Sequence, residues 1–188
     1  MAHKGIGGVH LFYSTVPAAA SSNVLVEFLV NSHGFSTEEA VSTSSKMFLY
    51  GTEALASLDE SKLERKFDIY QSFGWSDSDI CTVVRKLPYC LTSSEDKVRI
   101  TLKFFMNKLG YESSYLASRP SLLKYSLEKR VMPRNEILKF LKENQLLKGK
   151  LSLYTVAKCS ELQFLEKYVL SFRTKMPEVY DLYMKIRS

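Results

Sequence analysis

The chain has 188 residues and a net charge of +6, with 45% hydrophobic and 24% charged residues. These proportions are typical of a globular protein and exclude a disordered chain. No apolar stretch reaches the ~20 residues that a membrane-spanning helix needs, so we expect no membrane partner.

The positive charge is concentrated in one block. Residues 27–84 carry 4 basic and 10 acidic side chains, whereas residues 85–150 carry 15 basic and 6 acidic ones. A basic block of this kind is the electrostatic footprint of a protein that binds a polyanion. A solvated lysine-rich helix surface would give the same pattern, and the charge alone leaves both interpretations open.

Cysteine and histidine are placed where they offer no catalytic or metal site. The three cysteines (Cys81, Cys90, Cys159) form no C-x-x-C pair, and all three histidines lie within the first 33 residues. This pattern predicts reduced, buried thiols rather than disulfides or zinc ligands. We therefore expect no enzyme activity, no cofactor, no metal and no small-molecule substrate.

The chain opens with a segment that differs from the rest. Residues 1–22 contain no acidic side chain and many small and hydroxylated ones, as organelle targeting segments do. We predict a disordered leader or the remnant of a targeting segment over 1–22. A helix follows over about 23–32, and Gly34 serves as its left-handed C-cap.

The elements that follow come in a recurring order. Ser36 and Glu39 predict a capping box that starts a second helix, and a similar start occurs at Ser76. Pro88 then ends the helix that carries Ile80, Val83, Val84 and Leu87 on one face. Further helices are predicted from about residue 95 to Gly110, around 114–118 before Pro120, from Pro133 onward, over 162–172 and after Pro177.

Glycine-aromatic corners repeat along the chain at Gly34, Gly74 and Gly110, at intervals of 40 and 36 residues. Periods of this size are typical of stacked helical units. The sequence therefore predicts an all-α solenoid, with 23–188 as a single domain in which 66–188 is the robust part. A solenoid presents a long curved surface, which favours a binding function over chemistry.

The motifs in this order resemble the mitochondrial transcription termination factor (mTERF) family, and most closely its plant, organelle-targeted branch. The resemblance rests on the Gly-Phe/Trp-Ser corners, the Leu-Pro-x-x-Leu stop, the segment 125–134 (Tyr-Ser-Leu-Glu-Lys-Arg-Val-Met-Pro-Arg) and the tail over 164–183. It implies a left-handed α-solenoid of two-helix repeats, each with a short 3₁₀ turn. It also implies a monomer that binds double-stranded DNA or single-stranded RNA in mitochondria or chloroplasts, in transcription termination, transcription regulation or RNA processing.

The order of the motifs also suggests an internally shortened member of that family. Residues 28–46 resemble an opening repeat, whereas 47–188 resemble the last third of longer family members. We therefore hypothesise a junction near Lys46 and Met47. A shorter array would offer fewer phosphate contacts.

Candidate phosphate-binding residues are the basic side chains beside the proline turns and around Pro133. They are Arg85, Lys86, Arg119, Lys124, Lys129, Arg130 and Arg134. Arginine and lysine neutralise phosphates, and arginine also makes bidentate contacts. Each could instead be an exposed charge whose stem covers the apolar helix beneath.

Aromatic side chains could stack on bases, but their spacing favours packing. Phe104, Phe105 and Phe140 lie at core positions of helices, and Phe35, Trp75 and Tyr111 follow the corner glycines. Two other hypotheses remain beside nucleic-acid binding: a helical-repeat adaptor for proteins, and a shortened isoform that binds nucleic acid weakly or not at all.

Overall fold

The computed structural model describes residues 18–48, 58–147 and 149–187. These residues form eleven α-helices and no β-strand, so the all-α prediction is confirmed. They divide into two compact units, one ending at Leu63 and the other beginning at Glu64. The division lies beside the predicted start of the robust segment at residue 66, and the single domain over 23–188 stays a prediction. None of the described helices is long and apolar enough to cross a membrane.

The N-terminal unit contains α1 (Ala18–His33) and α2 (Thr37–Phe48), which pack against each other. Gly34 has a φ of +65° at the corner, and the predicted capping box is present, with the Glu39 amide donating to Ser36 Oγ at 3.1 Å and the Ser36 amide to Glu39 Oε2 at 3.0 Å. The helix starts earlier than predicted. Residues 18–22 are helical rather than part of a disordered leader, and residues 1–17 lie outside the described residues.

The C-terminal unit repeats a long helix, a corner and a short helix. Elements are numbered in chain order, and three of the long helices contain a π-helical turn. The first repeat consists of α3 (Glu60–Ser72), α4 (Asp77–Lys86) and a 3₁₀ turn (Pro88–Leu91), and the second of α5 (Glu95–Leu102) with a π turn (Lys103–Lys108), α6 (Ser113–Ser118) and α7 (Ser121–Lys124). The third consists of a π turn (Leu127–Val131) with α8 (Met132–Glu143), and α9 (Leu153–Lys158); the last segment consists of α10 (Glu161–Phe164), a π turn (Leu165–Val169), a 3₁₀ turn (Leu170–Phe172) and α11 (Glu178–Arg187).

The first three long helices of this unit each end in a left-handed residue, and one of these was not evident from the sequence. Gly74 and Gly110 have φ values of +80° and +69°, and Gln145 takes the same conformation at +54°. The Gln145 amide donates to the Lys142 carbonyl and the Leu146 amide to the Leu141 carbonyl, which is the Schellman pattern that also ends α3. The corner period therefore continues with a third interval of 35 residues.

The buried positions of the long helices share one register. Leu63, Lys66, Phe67 and Tyr70 are buried in α3, and the residues 35 positions later (Val98, Thr101, Leu102, Phe105) are also buried. The residues 71 positions later (Arg134, Ile137, Leu138, Leu141) are buried as well. This register matches each residue of one long helix to its counterpart in the next.

Successive repeats contact through their corners and short helices. Trp75, only 4% exposed, donates its Nε1 proton to Met106 Sδ at 3.1 Å, which joins the first corner to the next long helix. Ser113 Oγ donates to Asp79 Oδ2 at 2.7 Å between the starts of α6 and α4. Cys81 and Cys90 are buried, as predicted, and Cys159 is half-buried. Phe35, Trp75, Phe104 and Phe105 are core residues, which confirms that these four pack.

One predicted helix start is confirmed, but helical backbone also precedes it. Pro133 lies in the first turn of α8, as expected, and the Ser126 hydroxyl caps the chain seven residues earlier by accepting from the Lys129 amide at 3.2 Å. The π turn over Leu127–Val131 leads directly into α8. Because proline has no amide proton to donate, Pro133 is tolerated where the hydrogen bonding changes from π to α.

Candidate nucleic-acid interface

The predicted phosphate-binding residues have different environments. The lysines Lys86, Lys124 and Lys129 are exposed, whereas the arginines Arg85, Arg119 and Arg130 are half-buried. Arg134 is 1% exposed. Six of the seven therefore lie on the surface, and the seventh belongs to the core.

The sequence-based assignment of Arg134 to phosphate binding is wrong. Its Nη1 donates to the carbonyls of Val156 (2.8 Å), Ala157 (3.2 Å) and Cys159 (2.7 Å) at the end of α9. Its Nη2 donates to Glu161 Oε2 at 2.9 Å, and the guanidinium lies 4.7 Å from the ring centroid of Phe164. A cation so enclosed fastens the end of α9 and does not reach a phosphate.

Glu161 is the centre of a network at the start of α10. It accepts hydrogen bonds from Arg134, from Arg187 at 2.9 Å and from the Tyr183 hydroxyl. Burial alone would raise the pKa of Glu161, but these hydrogen bonds and the two positive charges outweigh it and hold the pKa below 4.5. Burial and the bond to Glu161 raise the pKa of Tyr183 to about 12. The network ties α11 to the preceding repeat.

Arg119 lies in an array of cations and tyrosine rings that extends over two repeats. Its guanidinium is 4.3 Å from the ring centroid of Tyr115 on α6 and 5.6 Å from that of Tyr154 on α9. The ammonium of Lys158 lies 5.5 Å from the same Tyr154 ring. We call Tyr115, Arg119, Tyr154 and Lys158 the cation–tyrosine array.

The two cations of this array have no carboxylate partner among the described residues. Arg119 donates a hydrogen bond from Nη1 to Ser118 Oγ at 2.7 Å, and Lys158 is exposed at the end of α9. The tyrosine rings hold the cations by cation–π attraction while their hydrogen-bonding protons stay available. Such cations can bind an anion without first breaking an existing ion pair.

Arg85, Lys86 and Arg119 lie at the ends of two short helices that pack against each other. The bond between Ser113 and Asp79 joins the starts of α6 and α4. Lys86 ends α4, and Arg119 follows Ser118 at the end of α6. With Lys158 at the end of α9, basic residues close the short helix of three successive repeats.

The remaining candidates form a second group at the start of the third long helix. Arg130 lies 5.0 Å from the ring centroid of Tyr125, and Lys124 precedes that tyrosine at the end of α7. The backbone carbonyl of Lys129 accepts from Arg187 at 3.4 Å, which leaves its ammonium exposed. The structure thus places Lys124, Lys129 and Arg130 in one segment.

Sequence reasoning missed Tyr115, Tyr154 and Lys158. The sequence held one signal for Lys158, its position: Lys158 ends its short helix as Lys86 ends α4. Lys158 was overlooked because no proline follows it. Among the described residues, no group of three or more His, Cys, Asp or Glu side chains is placed to hold a metal ion.

The family model for mTERF proteins matches residues 24–165. The chain belongs to the mTERF family. Among curated proteins it is similar to the mitochondrial transcription termination factor MTEF18 of Arabidopsis thaliana, with 27% identity over 106 residues. That alignment covers 56% of this chain and 19% of the relative.

The mTERF match includes the corners at Gly34, Gly74 and Gly110, both proline turns and the cation–tyrosine array. It ends before α11, so the contacts of Arg187 with Glu161 lie partly outside it. The helical-repeat fold expected of an mTERF protein is the fold observed in the C-terminal unit.

Proposed function

We propose that this chain is an organellar nucleic-acid-binding protein that acts in transcription termination, transcription regulation or RNA processing. Membership of the mTERF family supports a nucleic-acid-binding rather than an enzymatic role. The mitochondrial relative favours the mitochondrion as its location.

The cation–tyrosine array is the observation that carries the proposal. It holds two cations without carboxylate partners at the ends of two short helices, and Arg85 and Lys86 lie at the end of a third. Each phosphate neutralised by such a cation releases counterions, which makes binding salt-dependent. We assign phosphate contacts to Arg85, Lys86, Arg119, Lys124, Lys129 and Arg130, add Lys158, and remove Arg134.

The test is fluorescence anisotropy of labelled duplex DNA, single-stranded DNA and single-stranded RNA across a salt series. We expect log Kd to rise with log salt with a slope of about 6, which corresponds to the seven assigned phosphate contacts at about 0.9 each on duplex DNA. The double substitution Arg119→Gln and Lys158→Gln should reduce that slope by about 1.8, since each contact contributes about 0.9 on duplex DNA.

Lys139→Gln is the matched control. Lys139 is an exposed lysine of α8 that pairs with Glu136 at 3.6 Å, so its substitution should leave the slope nearly unchanged. Absence of binding to all three nucleic acids at low salt by a folded chain would refute the proposal and favour a protein adaptor or an inactive isoform.

A further inference from the structure

Successive long helices of the C-terminal unit meet at three seams: α3 with α5, α5 with the helix that contains α8, and that helix with α10. Side-chain hydrogen bonds close the first and third seams, and the second is open. In the first seam, Lys66 donates from Nζ to the Ser93 carbonyl, and Arg65 Nε donates to Glu95 Oε1 at 3.0 Å. Ser94, between these two acceptors, caps α5 by accepting from the Lys97 amide. A cation of one long helix thus fastens the connector that starts the next.

The third seam is closed by the same arrangement. Arg134 donates to the Cys159 carbonyl and to Glu161, and Ser160 between them caps α10. In both seams the acceptors are the carbonyl just before the capping serine and the carboxylate just after it. Arg134 occupies the register position of Leu63, one helical turn before that of Lys66.

The second seam has neither the donor nor the carboxylate. The register positions of Leu63 and Lys66 are taken by Val98 and Thr101 in α5. The capping serine is Ser126, and Leu127 stands where the other seams have Glu95 and Glu161. Here a groove of about 530 Å³ opens between α5 and residues 124–128.

The groove has the chemistry of a nucleotide site. Ile100 borders it with 61% of its surface exposed, and the half-buried ring of Tyr125 lies on the opposite side. Lys97 and Lys124 supply positive charge. Ligand clefts commonly fall between about 300 and 1,000 Å³, so the volume suits one nucleoside with its phosphate.

Two carboxylates indicate which bases would fit. Asp96 and Glu128 line the groove, and a carboxylate accepts hydrogen bonds from an exocyclic amino group such as that of cytosine. Uracil presents a carbonyl oxygen in the same place and would face a repulsive contact.

We propose that the open second seam holds one unpaired nucleotide of a bound single strand, with a preference for a base that carries an amino group. The base lies between Ile100 and Tyr125, its amino group meets Asp96 or Glu128, and its phosphates meet Lys97 and Lys124. This inference rests on the proposed nucleic-acid-binding function and specifies the class of strand.

Thr101→Lys provides the sharpest test, because it places an ammonium at the register position of Lys66. That ammonium should bond the Tyr125 carbonyl and close the seam as Lys66 closes the first. We expect affinity for an oligocytidylate of about 12 nucleotides to fall at least about five-fold, the lower end of what losing one stacked base costs. Affinity for duplex DNA should not fall.

The control adds the same charge to the same helix outside the groove. Asn107→Lys lies at an exposed position and should leave single-strand affinity unchanged or raise it, as added positive charge does in general. Ile100→Gln, at a mostly exposed position, is a second probe that does not disturb the core, and it should also weaken single-strand binding. The unmodified chain should bind oligocytidylate more tightly than oligouridylate.

The outcomes separate this inference from the proposed function. If the unmodified chain binds neither single strands nor duplex, both fail. If it binds, but Thr101→Lys and Ile100→Gln retain the affinity of Asn107→Lys, the groove proposal is overturned and the function stands. Binding confined to duplex DNA, or equal affinity for cytidylate and uridylate, also overturns the groove proposal.

Discussion

At the scale of single residues, the guanidinium of Arg134 stabilises the end of a helix that lacks the usual cap. The last carbonyls of an α-helix have no partner within the helix, and those at the end of α9 are satisfied by Arg134 instead. The charge is balanced by Glu161, whose second oxygen accepts from Arg187. Burial of this arginine is therefore tolerated because its two terminal nitrogens are hydrogen-bonded.

Replacing Arg134 should destabilise the chain strongly. Arg134→Met leaves several carbonyls without donors and removes the buried partner of Glu161, so we expect a loss of about 3 kcal/mol or more in the free energy of unfolding. Arg134→Lys should recover little, since an ammonium does not present the planar fork. Urea denaturation measures both, and Lys139→Ala, at an exposed ion pair, should stay within about 0.5 kcal/mol of the unmodified chain.

Stability should also depend on pH through Glu161. Its pKa is held below 4.5 in the folded chain, so the unfolded chain binds more protons as pH falls below that value. The stabilisation is present above pH 4.5 and is lost as pH falls through the folded pKa. Urea midpoints measured between pH 6 and pH 3 should fall less steeply for Glu161→Gln; equal slopes for both chains would contradict this assignment.

Of the seven basic candidates predicted from the sequence to bind phosphate, six lie on the surface and Arg134 is buried. Arg130 and Arg134 flank Pro133 in the same basic motif and differ only in the helix face on which they lie. The π turn over Leu127–Val131 changes that face. An extra residue per turn is invisible to a 3.6-residue periodicity, so composition and spacing do not separate the two arginines.

At the scale of elements, the stability of each corner depends on the left-handed backbone conformation of one residue. A Cβ built on Gly74 would meet no atom within 4 Å, so Gly74→Ala carries only the cost of the left-handed conformation. We expect a loss of about 1 kcal/mol in the free energy of unfolding.

The opposite change is available at the third corner. Gln145 holds a φ of +54°, and Gln145→Gly should raise the free energy of unfolding by about 0.5 to 1 kcal/mol by relieving that conformation. Thermal and urea unfolding of the two variants provide the comparison. A destabilised Gln145→Gly would show that its side chain contributes more than its backbone costs.

The same corner explains a limit of prediction from the repeat. Gly34, Gly74 and Gly110 revealed the period because only glycine adopts left-handed conformations without cost. Gln145 satisfies the same hydrogen bonds with a residue that carries no such signal. The fold class, the capping serines and the proline stops followed from the sequence, whereas the open second seam depends on side-chain packing that no sequence pattern reveals.

At the scale of the whole molecule, the division between Leu63 and Glu64 indicates which fragment folds independently. A chain of residues 58–188 keeps α3 complete with its start, where Asp59 Oδ1 accepts from the Lys62 amide at 2.8 Å. We expect it to be helical by circular dichroism and to unfold cooperatively in urea. A fragment that binds hydrophobic dyes and lacks a cooperative transition would show that the C-terminal unit needs residues 1–57.

The bond between Trp75 and Met106 has a practical consequence. Trp75 is the single tryptophan of the chain, so intrinsic emission reports on one corner at one end of the C-terminal unit. Circular dichroism, by comparison, averages over every helix. If the two signals change at the same urea concentration, the repeats unfold together. If the emission shifts first, the C-terminal unit unfolds from its Trp75 end while the repeats joined by Arg134 remain folded.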